Sequence, residues 1–161
     1  MVLRLKEPLT AYRIADRRHP IFDGKGAFLY GGRWTSPGIR VIHCSLSLAG
    51  AMLETLVHAN IGRVPKNQAW IEIAVPKGVA VEEIAAADVP GWDRPDLIRS
   101  RACGDAWFKS GRSAVLIVPS AVAREDRNAL INPEHPDAKK ITHGRPQPVI
   151  WDERLEKLFG K

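Results

Sequence analysis

The chain reads as one α+β domain over residues 1–161, a single compact unit with short mixed and antiparallel strands and several helices. Three observations carry that reading. Short apolar runs such as Ala69–Val75 (AWIEIAV) and Ala114–Val118 (AVLIV) are bounded by proline and glycine, as strands are. Two longer stretches repeat their apolar residues at helical spacing and end near a glycine. No repeat or domain-scale linker breaks the 161 residues, a length that buries a core without disulfides or metals.

In order, Leu9–Ala15 (LTAYRIA) alternates as a strand, with Tyr12 and Ile14 on one face and Ala11, Arg13 and Ala15 on the other. Arg17–Lys25 is polar and broken by Pro20 and Gly24, so a loop is expected. Gly31-Gly32 frees the backbone beside Tyr30 and Arg33, and Pro37-Gly38 makes a second turn before the strand Ile39–Cys44. Ser45 or Ser47 caps a helix over Leu48–Asn60 that Gly62 stops. Apolar residues occupy so much of its circumference that it reads as buried. Beyond strand Ala69–Val75, Val79–Ile84 reads as a short strand with Glu82 and Glu83 outward. Asp96 caps a helix over Leu97–Lys109 whose expected buried side is Ile98, Ala102, Ala106 and Trp107, and Gly111 stops it. Ala114–Val118 is a central strand, Asn128–Asn132 and Pro148–Trp151 are shorter ones, and Asp152 caps a last helix, Glu153–Phe159.

Composition removes several function classes. Met1–Pro8 has no apolar leader core and no later run approaches a membrane span, which disfavours secretion and a membrane partner. Cys44 and Cys103 lack CxxC or metal spacing, so a reducing, cytoplasmic setting fits. The five histidines show no ligand pairing, and no metal is expected. GxGxxG, P-loop and GxSxG motifs are absent. The net charge of +6 permits an anionic partner, but the arginines are scattered.

The residues with chemical potential each carry two readings. Arg13 between alanines either reaches solvent at an edge or serves a pocket, and Arg33 is either a turn-surface residue or a planar fork for phosphate. Gly50, Glu54 and His58 share one helical row, which is either a narrow solvated face or the wall of a cleft with Gly50 leaving room above Glu54. Ser120 follows the central strand, where a hydroxyl projects into a cleft or simply caps a turn; His135, between prolines, reads as structural.

Tyr12-Arg13, GGRWTSPG (31–38), SLAGAMLE (47–54), VPSAV (118–122) and NALINPEHPD (128–137), in that order, resemble the RES domain family. The resemblance implies a fold similar to ADP-ribosyltransferase toxins. It also implies a bacterial, cytoplasmic toxin of a type II toxin–antitoxin system, partnered by an Xre-like helix-turn-helix antitoxin. Its substrate would be NAD+, cleaved at the nicotinamide–ribose bond by phosphorolysis, hydrolysis or ADP-ribosyl transfer to a protein, with inorganic phosphate as one candidate co-substrate. Carried onto this chain, the site is Arg13, Glu54 and Ser120 for catalysis and Arg33, Tyr30 and His43 for the nucleotide. His43 stands where family members commonly have tyrosine; an imidazole there can stack or hydrogen-bond, and ordinarily titrates near neutrality.

That chemistry suits the residue types. A pyrophosphate asks for charge-assisted donors, which Arg13 and Arg33 offer, and an oxocarbenium-like transition state asks for a carboxylate such as Glu54. The alternatives are a basic RNA-binding or RNA-cleaving toxin that stacks bases on exposed tryptophans, and an inactive interaction module. Dispersed arginines and core-like tryptophan positions disfavour direct nucleic-acid binding.

Overall fold

Along the chain the elements run β1 (Leu3–Arg4), β2 (Leu9–Asp16), α1 (Lys25–Tyr30), β3 (Ile42–Ser45), α2 (Leu48–Ala59), β4 (Gln68–Val75), β5 (Ala80–Glu83), α3 (Ile98–Ser110), β6 (Val115–Pro119), β7 (Arg127–Ile131), β8 (Thr142–His143), β9 (Gln147–Pro148) and α4 (Glu153–Phe159). The computed structural model describes residues 1–59 and 64–159, so the helix stop expected at Gly62 lies outside the described residues. The strands form one mixed sheet in the order β1-β5-β6-β7-β3-β2-β4-β8, with β9 also on β4. Only β5 and β6 pair in parallel among the described strands. The expected α+β class with short, mostly antiparallel strands is what the chain adopts.

The central strands are apolar on both faces because core covers both. Val115, Ile117, Ala129 and Ile131 join Ile71, Ile73 and Val75 on one side. Leu116, Val118 and Leu130 pack on the other with Trp34, Trp92 and Trp107. On that second side, α3 presses the loop 31–39 onto the sheet. Its contact face is Ser100, Gly104 and Trp107, not the expected Ile98, Ala102 and Ala106, which are exposed. The reason is a backbone approach: a Cβ built on Gly104 would overlap the Trp34 carbonyl oxygen. Small residues mark the face that comes closest.

Other expectations are met in part and corrected in part. The loop expected over Arg17–Lys25 is irregular through residue 24, and α1, which was not expected, begins at Lys25, whose amide donates to the Asp23 carboxylate. Helix α2 is capped by Ser47, whose Oγ accepts the Gly50 amide at 2.9 Å. That helix is not enclosed all round: Leu53 and Val57 are 39% and 55% exposed. Its other stripe packs on β2 and β3. Glu82, expected outward, is buried and receives Arg112 Nη2 at 2.9 Å and Ser113 Oγ at 3.0 Å, brought over it by the turn after α3. His135 is structural, its Nδ1 accepting the Asp137 amide at 3.0 Å.

Replacing Gly104 by alanine forces α3 away from Trp34 and is expected to cost about 3 kcal/mol or more. Gly26→Ala, which meets nothing within 4 Å, is expected to be neutral or stabilising by up to about 1 kcal/mol. Urea denaturation of the two variants measures the contrast.

Candidate functional site

Strands β2 and β3 pair at a single position, Tyr12 opposite Ser45, and then part. A cleft of about 820 Å³ opens at that parting, walled by α2, the 31–34 loop and the start of α3. Its size falls within the range of small-molecule sites.

Arg13 lies in the cleft wall, but its fork is not open. Nε donates to the Ile21 carbonyl at 2.6 Å, Nη1 to that of His43 at 2.8 Å and Nη2 to that of Asp23 at 3.3 Å. It therefore substitutes for the missing strand ladder, tying β3 and the 21–23 segment to β2. Burial lowers its pKa below the ordinary arginine value, with opposing help from Asp23 and Cys44, and the group stays cationic.

Glu54 resolves in favour of the cleft. Its Oε1 accepts Ser120 Oγ at 3.0 Å and Asn128 Nδ2 at 2.7 Å. Its Oε2 carries neither bond and lies 3.7 Å from His58 Nε2. Asn128 is itself oriented, since its Oδ1 accepts Ser45 Oγ at 2.8 Å, so the amide must turn its donors to the carboxylate. Ser120 is 2% exposed and also accepts the Ala123 amide at 3.1 Å. Its hydroxyl is turned to the Glu54 carboxylate, and Ser120 is not among the residues that line the cleft. Gly50 does not leave room for one either: a Cβ there would stand 2.5 Å from Asp126 Oδ2, so its smoothness serves the turn before β7.

The 31–36 loop brings the rest. Gly31 has φ +69°, a left-handed conformation that favours glycine. Gly32 lies so close to the His43 imidazole that a Cβ would be 2.8 Å from its Nε2. Arg33 stretches along the 92–94 segment, with Nη1 donating to the carbonyls of Trp92 at 3.2 Å and Arg94 at 3.3 Å. Tyr30 stands exposed on the rim. Under the loop, Trp34 stacks on Trp92 with centroids 5.8 Å apart and planes 15° from parallel.

His43 does not behave as a near-neutral titrating group. Burial, with Arg13 and then His58 adding repulsion, pushes it down to about 4, and its enclosed Nε2 has no hydrogen-bond partner. Cys44 is pushed up to about 12 by burial and donates to the Ala129 carbonyl at 3.3 Å, which removes it as a nucleophile near neutrality. Among the described residues no cluster of three or more His, Cys, Asp or Glu could hold a metal, and no helix is long and apolar enough to cross a membrane. Trp34, Trp92 and Trp107 are buried, so they are no platform for bases. Sequence reasoning missed Asn128, Ser45 and Arg101 as members of the site. The serine and asparagine come from strands where they look like ordinary edge polar residues, and no spacing signal links them to Glu54.

Comparison with known proteins gives a consistent outcome. The RES domain family model matches residues 10–152. The chain is 42% identical over 136 residues to a Prs ADP-ribosylating toxin of Sphingobium sp. (strain YBL2), covering 82% of this chain and 84% of that protein. It is 34% identical over 119 residues to the Toxin Res of Pseudomonas putida, covering 72% and 80%. The M. tuberculosis MbcT–MbcA toxin–antitoxin complex contains a chain of the same fold, with TM-score 0.73 and 17% identity over 98% of this chain and 92% of that one.

His43 also carries a pH signature. Its folded pKa of about 4 lies below the ordinary imidazole value near 6.5, so the unfolded chain binds the proton first. The contribution is complete above about pH 6.5 and is lost as pH falls towards 4, by about 2–3 kcal/mol. His43→Gln is expected to flatten that part of the stability profile, read by denaturant midpoints between pH 7 and 4.

Proposed function

The chain belongs to the RES domain family, and from that premise we propose that it is the toxin of a toxin–antitoxin pair, an enzyme that breaks the nicotinamide–ribose bond of NAD+. The observation that carries the reading is the carboxylate of Glu54, pinned through one oxygen by Ser120 and Asn128 in a cleft that otherwise holds arginines. In the reaction the C–N bond between the anomeric carbon and nicotinamide lengthens, and its electron pair leaves with the ring nitrogen. The pyridinium of NAD+ thereby becomes neutral nicotinamide, so the leaving group needs no proton. Positive charge appears on the ribose, and Glu54 stabilises it through Oε2, the oxygen left without Ser120 and Asn128. Arg33 faces the anionic part of the dinucleotide. Tyr30 on the rim and the neutral His43 ring border the nucleotide.

The acceptor that closes the reaction is a protein side chain, water or inorganic phosphate. ADP-ribosyl transfer is supported by the name of the Sphingobium relative; phosphate as co-substrate rests on resemblance alone. The partner is an antitoxin, by analogy with the MbcT–MbcA assembly, and an Xre-like helix-turn-helix protein is the type the family resemblance implies. Its setting is the bacterial cytoplasm, where NAD+ is found.

The test is nicotinamide release from NAD+ by the purified protein, with and without phosphate, alongside a search for ADP-ribosylated protein in lysate. Folded wild type silent in all three assays overturns the proposal. Glu54→Gln is expected to keep the melting temperature within a few degrees and lose about 10²–10³ in kcat. Asn128→Ala is expected to lower kcat about tenfold with KM nearly unchanged, because it releases the orienting bond and not a substrate contact.

A further inference from the structure

Two arginines were expected to share the anionic substrate group, and the structure redistributes that task. Arg13 commits all three of its nitrogens to backbone carbonyls. Arg33 remains, with Nη1 already shared between two carbonyls. A third guanidinium lines the same cleft: Arg101, on the first turn of α3. Its Nε donates at 3.0 Å to the carbonyl of Gly32, the residue before Arg33, and both arginines line the cleft. Among the described residues, neither of its terminal nitrogens makes a hydrogen bond, and no carboxylate pairs with it within 4.0 Å.

The natural helical partner is Asp105, four residues on, which sequence alone would pair with Arg101. Asp105 is occupied elsewhere. Its Oδ1 accepts the Ser36 amide at 2.9 Å and its Oδ2 the Ser36 hydroxyl at 2.6 Å, holding the far end of the same loop. Arg101 is thus a half-buried cation, anchored at one nitrogen, with its terminal donors unspent in a cleft wall. Half-burial of an unpaired charge is unfavourable unless an anion arrives, and a planar fork suits phosphate oxygens.

We propose that Arg101 is a substrate-binding residue that receives the phosphate groups of the substrate together with Arg33, the place expected for Arg13. The proposal rests on the NAD+ reading and names the part of the dinucleotide, its diphosphate, that the Arg33–Arg101 pair takes.

The test uses the intact protein with ADP and adenosine as binding probes by calorimetry, and NAD+ kinetics. Arg101→Gln is expected to keep the fold, weaken ADP at least tenfold relative to wild type and leave adenosine unchanged. KM for NAD+ rises by a similar factor with kcat within about threefold, and Arg101→Lys restores part of the loss. Unchanged ADP binding in Arg101→Gln overturns the proposal while wild-type NAD+ turnover leaves the enzymatic reading intact. A fall in kcat without a change in ADP affinity also overturns it, since that is what a residue merely holding the Gly32 loop would give. Wild type that neither binds ADP nor consumes NAD+ removes both.

Discussion

Helix α3 meets the 31–36 loop backbone against backbone, and the cleft depends on that meeting. Gly104 lets the helix touch the Trp34 carbonyl. Around that point Ser100 Oγ donates to the Arg33 carbonyl at 2.7 Å, Arg101 to Gly32, and Asp105 receives Ser36. Residues 100, 101, 104 and 105 lie on one helical face, so a single rigid element fixes successive peptide groups of an otherwise irregular loop. Each bond is worth about 1 kcal/mol net, but together they set the plane from which Arg33 and Trp34 project. The loop in turn roofs His43, because Gly32 rests on the imidazole.

The second constraint is the parting of β2 from β3. A sheet that opens leaves carbonyls without partners, and buried carbonyls need donors. Arg13 provides one to His43 and others to Ile21 and Asp23, so a cationic side chain replaces several rungs of a ladder. The opening is therefore stabilised without closing it. Across it, α2 delivers Glu54 to Asn128 of β7 and to Ser120 at the end of β6. Three elements, α2, β6 and β7, thus meet at one carboxylate oxygen.

Much of the scaffold was legible because local rules suffice there. Ala114–Val118 between Gly111 and Pro119, the alternation before Pro76, and Ser47 ahead of an apolar helical repeat all fall close to β6, β4 and α2. The failures share a cause. The buried face of α3 is chosen by Ser100 and Gly104, whose smallness admits a neighbouring backbone, while hydrophobicity pointed to Ile98 and the alanines. Glu82 looked like strand-surface charge because its partners, Arg112 and Ser113, lie 30 and 31 residues away in sequence and are brought near by the fold. Gly26 inside α1 and Gly24 just before it read as turn residues, which hid the short helix. At the site, motif resemblance singled out Arg33 and Glu54, which line the cleft, whereas the bonding of Arg13, Ser120, Asn128 and Arg101 depends on which atoms their neighbours leave unoccupied. That occupancy has no one-dimensional trace.

The charge arrangement of the cleft fits a reaction that creates a cation beside an anion. Arginines near an emerging oxocarbenium ion would oppose it if their charge pointed at the ribose. Arg13 turns its charge onto three carbonyl dipoles, which blunts its field in the cleft. His43, held neutral near pH 7 by the same burial, adds no positive charge. Oε1 of Glu54 is held from two sides, so in the reaction proposed above the carboxylate needs no reorganisation as charge develops in front of Oε2. The remaining cationic donors lie on the 32–33 turn and α3, in other walls of the cleft than Glu54 on α2. Under the proposed reaction, anion and cation are served by different walls, which is the separation that a dinucleotide with its charges at opposite ends of a ribose requires.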